Sequence, residues 1–210
     1  MHRRRQAVPS IIPIPRKGTA YIARSSSHIN SSVPVLLALR DMLHLADTAK
    51  EVKHIMNSGA IKINGNPVKD PHSSIRFFNI LEADKSYRLT VLKTGKFSLE
   101  ELKGKQNSRI VKVVGKTMLP KGKIQYHFHD GTNSLLSGKE PKVGDSLTLG
   151  FDGKVVSHIA LEKSASCFIF AGSYSGHSGK IVSVKENSAL IAIKELDKEV
   201  TLPLASVIVI

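Results

Sequence analysis

Apolar positions change period along this chain, and the changes mark its elements. Leu36, Leu39 and Leu43, with Leu37 beside them, recur at helical spacing behind Pro34, a residue suited to a first helical turn. A second helix is predicted from Asp47 as N-cap, with Val52, Ile55 and Met56 on its apolar face. Lys50, Lys53, His54 and Asn57 then form a second, polar stripe, and Gly59 stands where a helix-ending residue belongs. After Gly59 the period drops to two. Residues 60–65 alternate, Asn64-Gly65 is a hairpin-turn signal, Val68 continues on the return strand, and residues 87–92 predict another strand. Residues 110–116, 124–128 and 147–151 also alternate, with turns at Asp130-Gly131, Gly144-Asp145 and Asp152-Gly153. Short strands at 168–171, 180–184, 189–193 and 199–202, separated by turn residues at regular spacing, predict a small barrel.

Residues 1–32 fit neither period. Pro9, Pro13 and Pro15 block regular helix, and Ser25, Ser26 and Ser27 form a polar tract. Arg3, Arg4, Arg5, Arg16, Lys17 and Arg24 lie there without one acid. A segment of that composition cannot fold alone. It is either a solubilising tail or an arm that orders against polyanion phosphates, and the lack of acids favours the arm. The expected fold class is therefore α+β in several modules. These are a basic extended arm (1–32), a two-helix-plus-hairpin unit (33–95), a central β domain (96–162) and a small β-barrel (163–210).

Charge narrows the partners. Among 210 residues, 31 Lys and Arg face 17 Asp and Glu, a net +14 spread over the whole length. Such a charge suits phosphate, because every neutralised phosphate releases condensed counterions. A membrane anchor would concentrate it on one amphipathic helix. Between residues 102 and 129 lie Lys103, Lys105, Arg109, Lys112, Lys116, Lys121 and Lys123, again with no acid. A solvated sheet face is the plainer explanation of such a run; the missing acids tilt it toward phosphate. Aromatic residues make up 5% with no Trp, which argues against a reader that works mainly by stacking.

The sequence carries no recognisable catalytic constellation. No phosphate-binding G-x-x-x-x-G-K-[ST] loop, dinucleotide fingerprint or nucleophile elbow occurs. His127 and His129 with Asp130 could start a metal site, but a fourth ligand at sensible spacing is missing. The single cysteine, Cys167, sits in an apolar run and is expected in a core, so no disulfide is implied. No stretch has the length of a transmembrane helix, and residues 1–17 lack the apolar centre of a signal peptide, so a cytoplasmic location is expected.

Three regions, in order, resemble the small-subunit ribosomal protein S4e family of archaea and eukaryotes. The first, VPVLLALRDMLHLADTAKEVKHIMNSGAIKINGNPVKD (33–70), looks like the S4-type RNA-binding module. The resemblance implies that its helices and hairpin face RNA, through Arg40, Lys50, Lys53, Lys62 and Lys69. The module here relies on lysine, which meets phosphate as a point charge and not as a bidentate fork. The second, residues 171–181, is similar to the KOW motif and implies an SH3-like barrel, with Gly172, Gly176 and Gly179 shaping a tight loop as Gly59 and Gly65 shape theirs. The third, GKTMLPKGKIQYHFHDGTN (115–133), looks like the family's central β domain. The match implies a structural constituent of the small ribosomal subunit, with ribosomal RNA and neighbouring ribosomal proteins as partners. No enzyme activity, cofactor, metal, membrane or small-molecule substrate is expected. The residues expected on RNA are Arg3, Arg4, Arg5, Arg16, Lys17, Arg24, Arg40, Lys50, Lys53, Lys62, Lys69, Lys112, Lys116 and Lys180. An RNA-modifying enzyme or its accessory subunit, and a KOW-containing transcription or translation factor, are the alternatives.

Overall fold

The computed structural model describes residues 2–104, 106–136, 140–185, 187–193 and 195–210. It is mostly β-strand, with two short α-helices and several sheets, so the α content is smaller than the sequence pattern suggests. The chain divides into two compact units. One holds residues 2–92 and 96–107, the other residues 93–95 and 108–210.

In the first unit β1 (His2–Arg4) pairs antiparallel with β2 (Tyr21–Ala23). The strand β3 (Ser32–Pro34) leads directly into α1 (Val35–Leu37) and a π-helical turn, Ala38–Met42. Val35 to Leu39 are all buried, so the predicted leucine face does pack inward. Helix α2 (Ala49–Asn57) starts one residue later than predicted. Thr48 is the cap, and its hydroxyl accepts from the Glu51 amide while the Glu51 carboxylate accepts from the amides of Asp47 and Thr48. Val52 and Met56 are buried, and Lys50, Lys53, His54 and Asn57 are exposed, as the two stripes require.

The hairpin of β4 (Lys62–Ile63) and β5 (Asn66–Pro67) turns at Asn64-Gly65, with φ of 51° and 81°. Left-handed backbone at both centres is what a two-residue hairpin needs, and glycine accepts it without steric cost. β6 (Ser74–Arg76) pairs with β3. β7 (Ile80–Glu82), β8 (Ser86–Val91) and β9 (Phe97–Leu102) complete an antiparallel sheet of order β5-β4-β7-β8-β9.

The N-terminal segment is not an extended arm. Ile12 and Ile22 are buried, and the Ile11 carbonyl accepts from the Phe97 amide at 2.8 Å. The serine tract is part of the fold as well: the buried Ser25 hydroxyl bonds those of Ser32 and Ser74. The segment is thus an integral part of the first unit.

The second unit holds two five-stranded antiparallel sheets. β10 (Ser108–Met118), β11 (Ile124–Phe128), β12 (Asn133–Leu135), β13 (Ser146–Gly150) and β14 (Val155–Ile159) run in the order β12-β11-β10-β13-β14. Val111, Val113, Tyr126, Phe128, Leu147 and Leu149 form their core. β15 (Ser166–Ile169), β16 (Ser178–Val184), β17 (Ser188–Ile193), β18 (Lys198–Pro203) and β19 (Val207–Val209) run in the order β18-β17-β16-β15-β19. Their core includes Cys167, Ile169, Ile181, Ile191 and Val209. Cys167 is a core residue as expected, and burial pushes its thiol up to about 11. The expected boundary at 162–163 falls inside this one compact unit.

Candidate nucleic-acid interface

The predicted cations separate into those that face solvent and those the fold uses internally. In the first unit Arg4, Arg16, Lys17 and Arg24 are exposed, and Arg3 is half-buried. Arg4, Arg5, Arg16 and Lys17 line one open hollow of about 510 Å³. Lys50 and Lys53 are exposed one turn apart on α2, and Lys69 is exposed past the hairpin. Lys62 is half-buried in a different depression, whose lining mixes the acids Glu82, Asp84 and Glu101 with Lys85 and Lys103. Arg40 is committed to its neighbour: its Nη2 meets Asp41 Oδ2 at 2.8 Å and its Nε meets Oδ1 at 3.2 Å.

In the second unit Lys116 is exposed on the β10–β11 hairpin, its ammonium 5.6 Å from the centre of the Tyr126 ring. Lys180 is exposed on β16. Lys112 corrects the sequence-based expectation. It is only 5% exposed, and its ammonium donates to the carbonyls of Val207, at 2.7 Å, and Leu204. Burial lowers the amine's pKa to about 8. A group so enclosed meets no phosphate. The other face of β10 packs into the central core, so Lys112 lies on the face the alternation left to solvent, and residues 204–207 cover that face.

The rest of the basic run is equally divided. Arg109 Nη2 pairs with the buried Asp130 at 2.9 Å. Lys105 and the side chain of Lys121 lie outside the described residues. Asp130 also accepts from the amide and hydroxyl of Thr132, at 2.9 and 2.6 Å, so the motif HDGTN is a braced turn. His127 bonds Thr117 and Asn133, and His129 Nδ1 accepts from the Lys112 amide. Both imidazoles serve the sheet, and among the described residues no three His, Cys, Asp or Glu are grouped as metal ligands.

Of the predicted loop glycines, Gly59, Gly65, Gly172 and Gly176 sit in turns. Gly179 does not. It lies within β16, and a Cβ there would stand 2.6 Å from Ile191 Cγ2 and 2.7 Å from the Ala192 carbonyl oxygen. It is glycine because β17 passes too close for anything larger. Sequence reasoning also passed over Tyr21, which stands opposite Arg4 in the β1–β2 ribbon and is 55% exposed. The available signal was an aromatic residue inside an otherwise polar, basic segment.

Comparison with known proteins places this geometry. The model of ribosomal family S4e matches residues 83–155. The small ribosomal subunit protein eS4 of Archaeoglobus fulgidus is 30% identical, over 96% of this chain and 89% of that protein. The chain belongs to the ribosomal S4e family. The eS4 protein of Halobacterium salinarum is 31% identical over 94% of this chain and 88% of its own. The crystal structure of 30S ribosomal protein S4e from Thermoplasma acidophilum superposes with a TM-score of 0.73 at 28% identity, over 86% of this chain and 95% of that one. The similarity to S4e thus spans both compact units.

Proposed function

We propose that this S4e-family chain is a structural constituent of the small ribosomal subunit, acting by binding ribosomal RNA and not by turnover. One observation carries it: the similarity to small-subunit proteins runs through nearly the whole chain and nearly the whole of each relative. The chain works in the cytoplasm, within the ribosome, beside other ribosomal proteins. Among the described residues no helix is long and apolar enough to cross a membrane.

Within that role, α1, α2 and the β4–β5 hairpin act as an S4-type module. Lys50, Lys53 and Lys69 are its phosphate contacts; their exposure on the surface of this module supports this. The strands from β15 onward act as a KOW-bearing SH3-like barrel. The five-stranded order and the paired turns at Gly172 and Gly176 support that. Lysine and arginine that meet phosphates read backbone and shape more than base sequence.

The test is sedimentation. The endogenous protein should travel with small subunits after a moderate salt wash, and its affinity for ribosomal RNA should fall steeply with salt. Failure to cosediment overturns the assignment, and turnover of an RNA substrate replaces it.

A further inference from the structure

The loop between β1 and β2 is shaped by a clip. Arg5 Nε donates to the Thr19 carbonyl at 2.7 Å, Nη1 to the Pro15 carbonyl at 2.7 Å, and Nη2 to Thr19 Oγ1 at 2.8 Å. Each nitrogen of the guanidinium makes a hydrogen bond within the protein, so Arg5 positions the loop. Gly18, at φ 135°, makes room for it. A Cβ there would sit 3.0 Å from the Arg5 guanidinium carbon and press on the clip.

The pinned loop carries Arg16 and Lys17 to the rim of the 510 Å³ hollow that Arg4 and Tyr21 also line. No acid occurs anywhere in this segment. Arg4 and Tyr21 are direct cross-strand partners, so they share one face of the ribbon, while Ile22 on the other face is buried. The Tyr21 ring is steadied by His2, edge-on, at a centroid separation of 4.9 Å and an interplanar angle of 77°. A solvated tyrosine is ordinary by itself. A steadied, exposed ring beside three unpaired-by-acid cations on a preshaped hollow is a specific chemical combination.

We infer that this hollow takes one unpaired nucleotide of an RNA strand, its base stacked on Tyr21 and its phosphates among Arg4, Arg16 and Lys17. The inference rests on the proposed RNA-binding role and names a site within it. Bases inside an A-form helix expose no ring face, so only a nucleotide that has left the stack can use Tyr21. A duplex backbone would engage the cations and ignore the ring. The low aromatic content of the chain fits one such platform, not a stacking array.

Two RNA hairpins with the same stem separate these outcomes, one carrying a single bulged 2-aminopurine and the other fully paired. The full-length chain should bind the bulged hairpin more tightly and quench its fluorescence. Tyr21→Leu should weaken that binding about tenfold and abolish the quenching, Tyr21→Phe should retain both, and neither should alter binding to the paired hairpin. Arg16→Gln with Lys17→Gln should weaken both RNAs. If Tyr21→Leu weakens both hairpins equally, or neither, the nucleotide site is refuted while the RNA-binding role stands. If the unmodified chain binds neither hairpin, both fall.

Discussion

The ammonium of Lys112, on β10, donates to the carbonyl of Val207, on β19, at 2.7 Å. One lysine of the central sheet thereby holds the strand that edges the C-terminal sheet. Ser146 Oγ strengthens the link by accepting from the Val209 amide at 3.1 Å. The contact turns a residue expected to neutralise phosphate into one that joins two layers of a single unit.

Lys112→Ala is therefore expected to destabilise the second unit by about 3 kcal/mol. It removes a buried stem and takes the ammonium away from the Val207 and Leu204 carbonyls, of which Leu204 keeps the Val207 amide as a donor. Urea unfolding measures the loss. The salt dependence of RNA binding, measured on the folded variant, should not change. A shallower salt slope would restore Lys112 to the interface.

The same group gives a signed pH dependence. Its folded pKa, about 8, lies below the ordinary lysine value of 10.5, so the unfolded chain holds more protons between those values. Stability from Lys112 therefore rises with pH across that window. Cys167 acts in the opposite direction: its thiol is raised from 9.0 to about 11, so its contribution falls as pH climbs through that range. Unfolding free energies taken from pH 7.5 to 10.5 should show a flatter or falling curve in Lys112→Met than in the native chain. Parallel curves would mean that the amine titrates normally.

Lys50→Glu with Lys53→Glu should weaken RNA binding and make the salt slope shallower by about two, one for each lost phosphate contact. Both side chains are exposed and the Thr48–Glu51 capping box is untouched, so the melting temperature should barely move. Unchanged affinity would remove α2 from the interface.

Deleting residues 1–24 is expected to damage the first unit and not only RNA binding. The deletion takes away buried Ile12 and Ile22, at a cost of about 3–6 kcal/mol in apolar burial, and uncovers the Phe97 amide. Hydrogen exchange should show lost protection around β9. Retained protection would mean that the segment is a dispensable tail after all.

Gly179→Ala should destabilise the C-terminal sheet by about 1–3 kcal/mol, because the new methyl overlaps Ile191 and the Ala192 carbonyl. Gly172→Ala has nothing within 4 Å to strike, only its backbone at φ 93° to strain, so a thermal-shift comparison of the two separates crowding from conformation. Equal effects would contradict the close approach of β17.

What could be read from the sequence was local. The Asn64-Gly65 turn, the two stripes of α2 and the strand at residues 124–128 depend on neighbours a few positions away, and the chain shows them plainly. Alternation at residues 110–116 established two faces for β10, but not which of them a distant segment covers. That segment arrives at residues 204–207, so Lys112 was misplaced. The arm failed for the same reason. Its arginines and prolines are visible, whereas the Arg5 clip and the Phe97–Ile11 bond depend on pairing across the sequence. Gly179 looked like its loop neighbours because a sequence cannot distinguish a glycine that turns from one that yields space.

The lysine beneath β19 also bears on the order of synthesis. The central sheet leaves the exit tunnel long before residues 204–209, so for a time its outer face is uncovered. An aliphatic residue at position 112 would make that face adhesive to any other nascent chain. An ammonium keeps it wetted until its acceptors arrive, and only then is the charge drawn out of water. The cost of burying Lys112 is thus deferred until residues 204–207 arrive. Until then, the central sheet is guarded by the charge that the folded unit encloses.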